Sequence, residues 1–426
     1  MKEPKIRFKG FKGEWENTPF SETFDSLKNN SLSRAELSDS GEVMNIHYGD
    51  VLIKYGECVD VIKEVETFVK DEEVAKKLHQ SCAIKNGDVI FADAAEDNAV
   101  GKCSEVIANE NDAIVSGLHT IACRPKKDFA PMYLGYYLNS NAYHDQLLPH
   151  IQGTKISSIS KKAISQTHIN SPLEKDEQQS IASYFQHLDS LIQLTTKKIE
   201  SLKQVKAASL QSMFPQEGET TPRVRFKGFE GEWEKVLIGK MGVTYSGLSG
   251  KTKDDFGFGE ARFITFLNVL TNAKIDTSIL EPVNVNRDEH QNEVRKGDLL
   301  FNTSSETPEE VGMCAVMDEK LENVYLNSFC FGFRVTDNNI DPTCVAYIMR
   351  SHIGRRIMSI LAQGATRYNL SKNSFCKAVL VLPKNIAEQR AIASYFTNLD
   401  RQITLQSQRL EKLKQIKAAC LDNMFV

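Results

Sequence analysis

The sequence predicts an α+β protein: two tandem, pseudo-symmetric domains separated by two long helices that pair with each other. Three observations carry this prediction. Two segments of the chain recur in the same order, the second of them reads as a long amphipathic helix, and the stretches between them mix short β-type runs with helical ones.

Residues 4–16 read PKIRFKGFKGEWE and residues 222–234 read PRVRFKGFEGEWE, identical at ten of thirteen positions. Residues 172–214 begin PLEKDEQQSIASYFQHLD and end LKQVKAASLQSMF; residues 383–425 begin PKNIAEQRAIASYFTNLD and end LKQIKAACLDNMF. Those two segments share 22 of 43 positions. The offsets, 218 and 211, are similar and the order is the same, so the chain is an internal duplication. Weaker echoes join the middles. Lys85-Asn86-Gly87-Asp88 parallels Arg295-Lys296-Gly297-Asp298, and Gln152-Gly153 parallels Gln363-Gly364.

The closing segments read as helices. Ile181, Leu188, Leu202 and the row Phe185, Ile192, Ile199 form one apolar stripe of coiled-coil spacing. Ile392, Leu399, Leu413 and the row Phe396, Ile403, Leu410 form its copy. Neither segment has an internal Pro or Gly, and Asn385 with Glu388 has the spacing of a capping box. Residues 177–213 as one helix would span about 55 Å. A helix of that length with one apolar face needs a partner, and its own copy is the obvious one. The division is then 1–171, first diverged domain; 172–214, central repeated helix; 215–221, linker (Pro-Gln-Glu-Gly-Glu-Thr-Thr); 222–382, second diverged domain; 383–426, C-terminal repeated helix. Within the middles, Val89–Phe91, Leu299–Phe301 and Phe331–Val335 read as strands, and 131–148 and 342–362 as helical stretches.

Composition excludes several classes. No stretch approaches the roughly 18 apolar residues of a membrane span, and the lysine-rich start has no signal-peptide core, so no membrane association and a cytoplasmic location are expected. Nine scattered cysteines without a C-x-x-C signal neither a zinc site nor a disulfide framework. The net charge is −4; residues 1–171 carry 20 Lys+Arg against 25 Asp+Glu, and residues 222–382 carry 20 of each. Any nucleic-acid surface must therefore be a local patch, or affinity must be shared with partner subunits.

The duplication has a physical meaning. Parts kept alike must meet the same thing, each other or two copies of one partner. Parts that differ must meet different things, and two unlike DNA half-sites fit that logic. The order of diverged domain, helix ending LKQVKAASLQSMF, second diverged domain, helix ending LKQIKAACLDNMF resembles the specificity subunits of Type I restriction–modification systems. The RFKGF-GEWE opening and the EQ--IASYF--LD helix start also look like that family. The resemblance covers essentially the whole chain. It implies two target-recognition domains, each reading half of a split asymmetric double-stranded DNA site, and two helices that pair antiparallel and set the spacing. It further implies two methyltransferase subunits bound to the repeated parts, with restriction subunits able to join. No cofactor is expected in this chain; S-adenosylmethionine, ATP and Mg²⁺ belong to the partner subunits, whose complex methylates adenine. The acidity of the first domain departs from simple electrostatic docking.

Sequence readout needs donors and acceptors on base edges, and phosphate contacts need cations or backbone amides. The segment after each Gln-Gly pair is the first candidate. QGTKISSISKK offers Lys155, Ser157, Ser158, Lys161 and Lys162. QGATRYNLSK offers Arg367, Tyr368, Asn369 and Lys372. Arg367 and Asn369 suit guanine and adenine. The bland alternative is an ordinary polar loop. A second candidate is the loop near each domain's start, with Arg34 in one half and Lys251 and Lys253 in the other, where a solvated turn is the alternative. Arg355 and Arg356 are read as either phosphate contacts or a solvated helix face. Trp15 and Trp233, at matching repeat positions, read as packing anchors.

Enzymatic readings fail on their motifs. Gly247-Leu248-Ser249-Gly250-Lys251-Thr252 lacks the first glycine of a phosphate-binding loop, since position 245 is Tyr245. Asp341-Pro342-Thr343-Cys344 is not an amino-methyltransferase tetrapeptide. Asp298, Asp318 and Lys320 mimic a nuclease spacing that the first half does not repeat. No catalytic or metal-ligating residue is expected. The competing non-enzymatic reading is a duplicated coiled-coil scaffold without DNA binding.

Overall fold

The computed structural model describes residues 3–96, 99–153, 155–286 and 288–426. The chain forms two units, residues 1–196 with 408–426, and residues 197–407. Each unit holds one diverged middle and a part of each long helix.

The repeated segments form helices Lys175–Ser212 and Ile386–Asn423, 38 residues apiece. Within the first unit, the start of the first helix lies against the end of the second. Phe185 stacks on Phe425 with centroids 5.7 Å apart, and the Tyr184 hydroxyl is 3.4 Å from Cys420 Sγ. Within the second unit the roles exchange. Phe396 stacks on Phe214 at 5.7 Å, and the hydroxyls of Tyr395 and Ser209 are 2.9 Å apart. Both pairings are antiparallel.

Ile181, Phe185 and Leu188 are buried in the first core, with Leu413 packed against it. Leu202, Ile392, Phe396 and Leu399 are buried in the second, with Ile403 packed against it. Ile199 is buried, while Ile192 and Leu410 are half-buried. Full burial of a ring such as Phe185 or Phe396 stabilises each unit by about 1.5–3 kcal/mol.

The opening repeat docks beside its helix by the same ion pair and ring contact in both units, though Trp233 Nε1 donates to Glu388 at 3.3 Å and the buried Trp15 Nε1 has no partner among the described residues. Arg7 makes a bidentate pair with Glu177, and Arg225 with Glu388, whose carboxylates are buried. Trp15 and Trp233 are 3 % exposed, each edge-on to a terminal Phe of a long helix segment, Phe425 and Phe214. Glu388 is thus committed to Arg225 and to Trp233 Nε1, and does not close the expected capping box. Asn385 Oδ1 accepts from Ala387 N at 2.8 Å instead.

Each middle is α+β. The first has a five-stranded sheet in the order Phe24–Ser26, Thr120–Pro125, Val89–Ala92, Cys103–Ile107, Cys58–Asp60, and a four-stranded sheet. The second has a four-stranded sheet, Gly242–Ser246, Cys330–Val335, Asp298–Asn302, Cys314–Val316, and a three-stranded one. Corresponding strands are fastened by the same ion pair, Arg124 bidentate to Asp88 and Arg334 bidentate to Asp298. The helical stretches are broken where a serine hydroxyl turns back on the backbone. Ser140 stands between Tyr133–Leu138 and Asn141–His144, its hydroxyl donating to the Tyr137 carbonyl, and Ser351 stands between Pro342–Arg350 and His352–Leu361, donating to the Ile348 carbonyl and accepting from Gly354 N. Among the described residues no helix is long and apolar enough to cross a membrane.

Candidate nucleic-acid interface

Each Gln-Gly segment is closed by the same pair of backbone hydrogen bonds. Gln152 and Ser158 exchange backbone hydrogen bonds of 3.0 and 2.7 Å, and Gln363 and Asn369 exchange bonds of 3.0 and 2.8 Å. The glycine is required. Gly153 has φ +109° and Gly364 φ +140°, and a Cβ on either would stand 2.0 Å from the carbonyl oxygen of Ile156 or Arg367. Thr154 lies outside the described residues. Each hairpin rests on a short strand: Ser157 and Ser158 pair with Ala95 and Ala94, and Tyr368 and Asn369 with Ser305 and Ser304. The residue after each hairpin is bonded equivalently, Ile159 N to Asp93 O and Leu370 N to Thr303 O, both at 2.8 Å.

On this shared backbone the side chains differ. In the first unit Lys155, Ser158, Lys161 and Lys162 are exposed and Ser157 half-buried; Lys161 Nζ donates to the Leu27 carbonyl at 3.0 Å. In the second, Arg367 and Asn369 are exposed and Tyr368 half-buried. Lys372 Nζ donates to Ser246 Oγ at 2.6 Å.

The second candidate loops also coincide. Ser33 and Glu36 form a capping box around Arg34–Glu36, and Thr252 and Asp255 one around Lys253–Asp255. Backbone and side-chain hydrogen bonds from the capping residue hold the Glu36 and Asp255 carboxyls below their usual range. Arg34 and Lys253 therefore occupy the same place in the two units, both exposed, Arg34 paired with Asp50 at 3.0 Å. The cleft beside Arg34 has Asp39, Asp50, Lys54 and Glu66 on its walls, so the first unit's surface mixes both signs.

Two expectations need correction. The Lys251 side chain is 5 % exposed and its ammonium sits 2.6 Å from Glu289, so it braces its loop and does not offer a charge to a phosphate. Arg355 is neither a phosphate contact nor a solvated group. Its guanidinium donates to the carbonyls of Glu309, Val311 and Gly312, and burial pushes its pKa down to about 10. Arg356 is exposed and pairs with Glu217 at 2.8 Å.

Sequence reasoning missed a third element next to each hairpin. Asp93 N donates to the His119 carbonyl at 3.1 Å and Thr303 N to the Phe329 carbonyl at 2.9 Å, so His119 and Phe329 occupy equivalent turns. Strand register agrees: Ile46 pairs with Ser116 and Ile264 with Leu326, three residues before each ring. The two turns share no identical residue, and the only signal is their place just before the strands Thr120–Pro125 and Cys330–Val335.

The family model for the Type I restriction modification DNA specificity domain matches the chain twice, over residues 12–204 and 231–415. A type I restriction enzyme specificity subunit, MjaX, from Methanocaldococcus jannaschii is 23 % identical over 373 residues, covering 82 % of this chain and 79 % of its own. The StySPI specificity subunit from Salmonella potsdam is 25 % identical over 186 residues, 43 % of this chain and 40 % of its own. Among solved structures, the S subunit of a Type I restriction–modification system from M. genitalium shares the fold with a TM-score of 0.59 at 13 % identity, covering 100 % of this chain and 99 % of that one. A structure from work on complex assembly and conformational transition of the type I R-M system shares it at 0.54 and 16 % identity, covering 96 % and 97 %. With both halves matched and the fold shared end to end, the chain belongs to the Type I restriction–modification DNA specificity subunit family.

Proposed function

We propose that the chain reads a bipartite, asymmetric DNA site and carries no chemistry of its own, each unit reading one half-site and the paired helices setting the gap. One observation supports this most: the two units close their Gln-Gly segments with the same backbone bonds and a positive-φ glycine but carry unlike sequences, GTKIS in residues 153–157 and GATRY in residues 364–368. A common frame with interchangeable donors and acceptors is what reading two different sequences requires. Arg34, Lys155, Ser157, Ser158, Lys161 and Lys162 serve one half-site; Lys253, Arg367, Tyr368, Asn369 and Lys372 serve the other. Two methyltransferase subunits dock on the repeated parts in the cytoplasm, bringing S-adenosylmethionine. Restriction subunits bring ATP and Mg²⁺.

The test is duplex-DNA binding by the chain assembled with its methyltransferase partners. The expected result is a preferred sequence, with affinity falling steeply as salt is raised because phosphate contacts release counterions. Salt-insensitive association without sequence preference would instead favour a protein scaffold.

A further inference from the structure

We infer that His119 and Phe329 are equivalent specificity-determining residues, His119 accepting a hydrogen bond from a base amino group in one half-site and Phe329 packing on a thymine methyl in the other. The inference rests on the DNA-reading function proposed above and deepens it.

The two rings stand at the same place in the two units, as the matching backbone bonds and strand registers show. Each is joined to its reading hairpin through a single residue. Asp93 bonds His119 on one side and Ile159 on the other; Thr303 bonds Phe329 and Leu370. Both rings are presented outward, the His119 side chain 51 % exposed and Phe329 58 % exposed. Their turns are held firmly. His119 has φ +55°, and Gly117 O and Ser116 Oγ both engage Thr120 Oγ1. Asn327 Oδ1 accepts from Phe329 N at 2.8 Å. A bonded turn that exposes a large ring beside the candidate loop leaves that ring accessible to a base edge.

The chemistry of each ring follows from its neighbours. His119 Nδ1 is 3.1 Å from Asp93 Oδ1, and Tyr48 meets the imidazole edge-on at 5.2 Å. A carboxylate only accepts, so Nδ1 donates to Asp93, and in the Nδ1–H tautomer Nε2 is the acceptor. On the major-groove edge the complementary donors are adenine N6 and cytosine N4. In the second unit Thr303 stands where Asp93 does and Phe329 has no polar atom to orient. A phenyl ring at a base edge discriminates through the thymine methyl.

The test maps methylated motifs made by the full chain with its methyltransferase partners, for wild type, His119→Asn, Phe329→Ala and Phe329→His. Asparagine tolerates the left-handed backbone at position 119. Phe329→His, made together with Thr303→Asp to supply the orienting carboxylate, moves the first unit's ring chemistry onto the second, and thermal unfolding confirms that each variant is folded. The expected result is a loss of about tenfold in discrimination at one base of one half-site for each of the first two variants, the other half-site unchanged. Phe329→His with Thr303→Asp shifts the preference at its position from thymine towards adenine or cytosine. A bipartite wild-type motif retained unchanged by the folded variants overturns this inference and leaves the DNA-reading function standing, as does uniform weakening at every sequence. A wild type with no motif overturns both.

Discussion

Glu105 lies on strand Cys103–Ile107, 4 % exposed, its carboxylate accepting from the backbone N–H groups of Met132 at 2.6 Å and Gly135 at 2.8 Å. Burial outweighs these hydrogen bonds and pushes its carboxyl up to about 7. Val316 occupies the corresponding register in the second unit, opposite Leu299 as Glu105 is opposite Val89, so this buried acid is particular to the first. A folded-state pKa raised above the usual 4.5 means that between those values the native protein holds a proton the unfolded chain has released. The stability contribution is then complete below about pH 4.5 and lost as pH rises through about 7, a change on the order of 3 kcal/mol. Denaturant unfolding of wild type and Glu105→Gln between pH 4.5 and 8 reads this directly. The difference between the two should move in the mutant's favour as pH rises, and a pH-independent difference would show that Glu105 is ionised throughout. Residues also show where one-dimensional reading stops. Lys251 was legible as a cation, but Glu289 lies against it only after the chain has turned back on itself.

The hairpins and helices carry the shared design. Gly364 holds the second hairpin closed at φ +140°, and alanine there would bring Cβ against the Arg367 carbonyl. Gly364→Ala should introduce strain of about 1–3 kcal/mol confined to the loop. Sequence discrimination should fall in one half-site, with the unfolding temperature lowered by about 2–4 °C for each kcal/mol of strain that the loop does not relieve, as read by motif mapping beside thermal denaturation. Equal loss in both half-sites would contradict a division of reading between the units. The long helices were legible because an apolar residue recurs at fixed spacing and no glycine or proline intervenes. The strands around Val89 and Phe331 were legible as short apolar runs. The breaks at Ser140 and Ser351 were less legible, since only the short polar runs Asn139-Ser140-Asn141 and Arg350-Ser351-His352 interrupt the apolar residues; at each break a hydroxyl donates to the Tyr137 or Ile348 carbonyl. The turns bearing His119 and Phe329 were not legible. Their equivalence rests on backbone bonds to Asp93 and Thr303, and the two turns have no residue in common.

At the scale of the molecule, duplication explains why one half of the chain is a guide to the other. Arg7–Glu177 and Arg225–Glu388, Trp15 and Trp233, and Tyr136–Asp189 and Tyr347–Asp400 are the same contacts made twice. In the proposed function the helices act as a spacer, with an upper span of about 16 base pairs for roughly 55 Å of helix. Inserting one matched heptad into both helices keeps the apolar seam in phase and adds about 10 Å, or roughly 3 base pairs. The gap between half-sites should widen by that amount while both half-sites stay the same; an unchanged gap would remove the helices from the spacing role. The most direct measurement of all is the map of methylated bases in DNA from cells expressing this chain with its methyltransferase partner. Two unlike specified segments separated by a fixed unspecified gap are the expected result. A single uninterrupted motif, a symmetric one, or methylation without sequence preference would contradict a chain built as two different readers on one repeated frame.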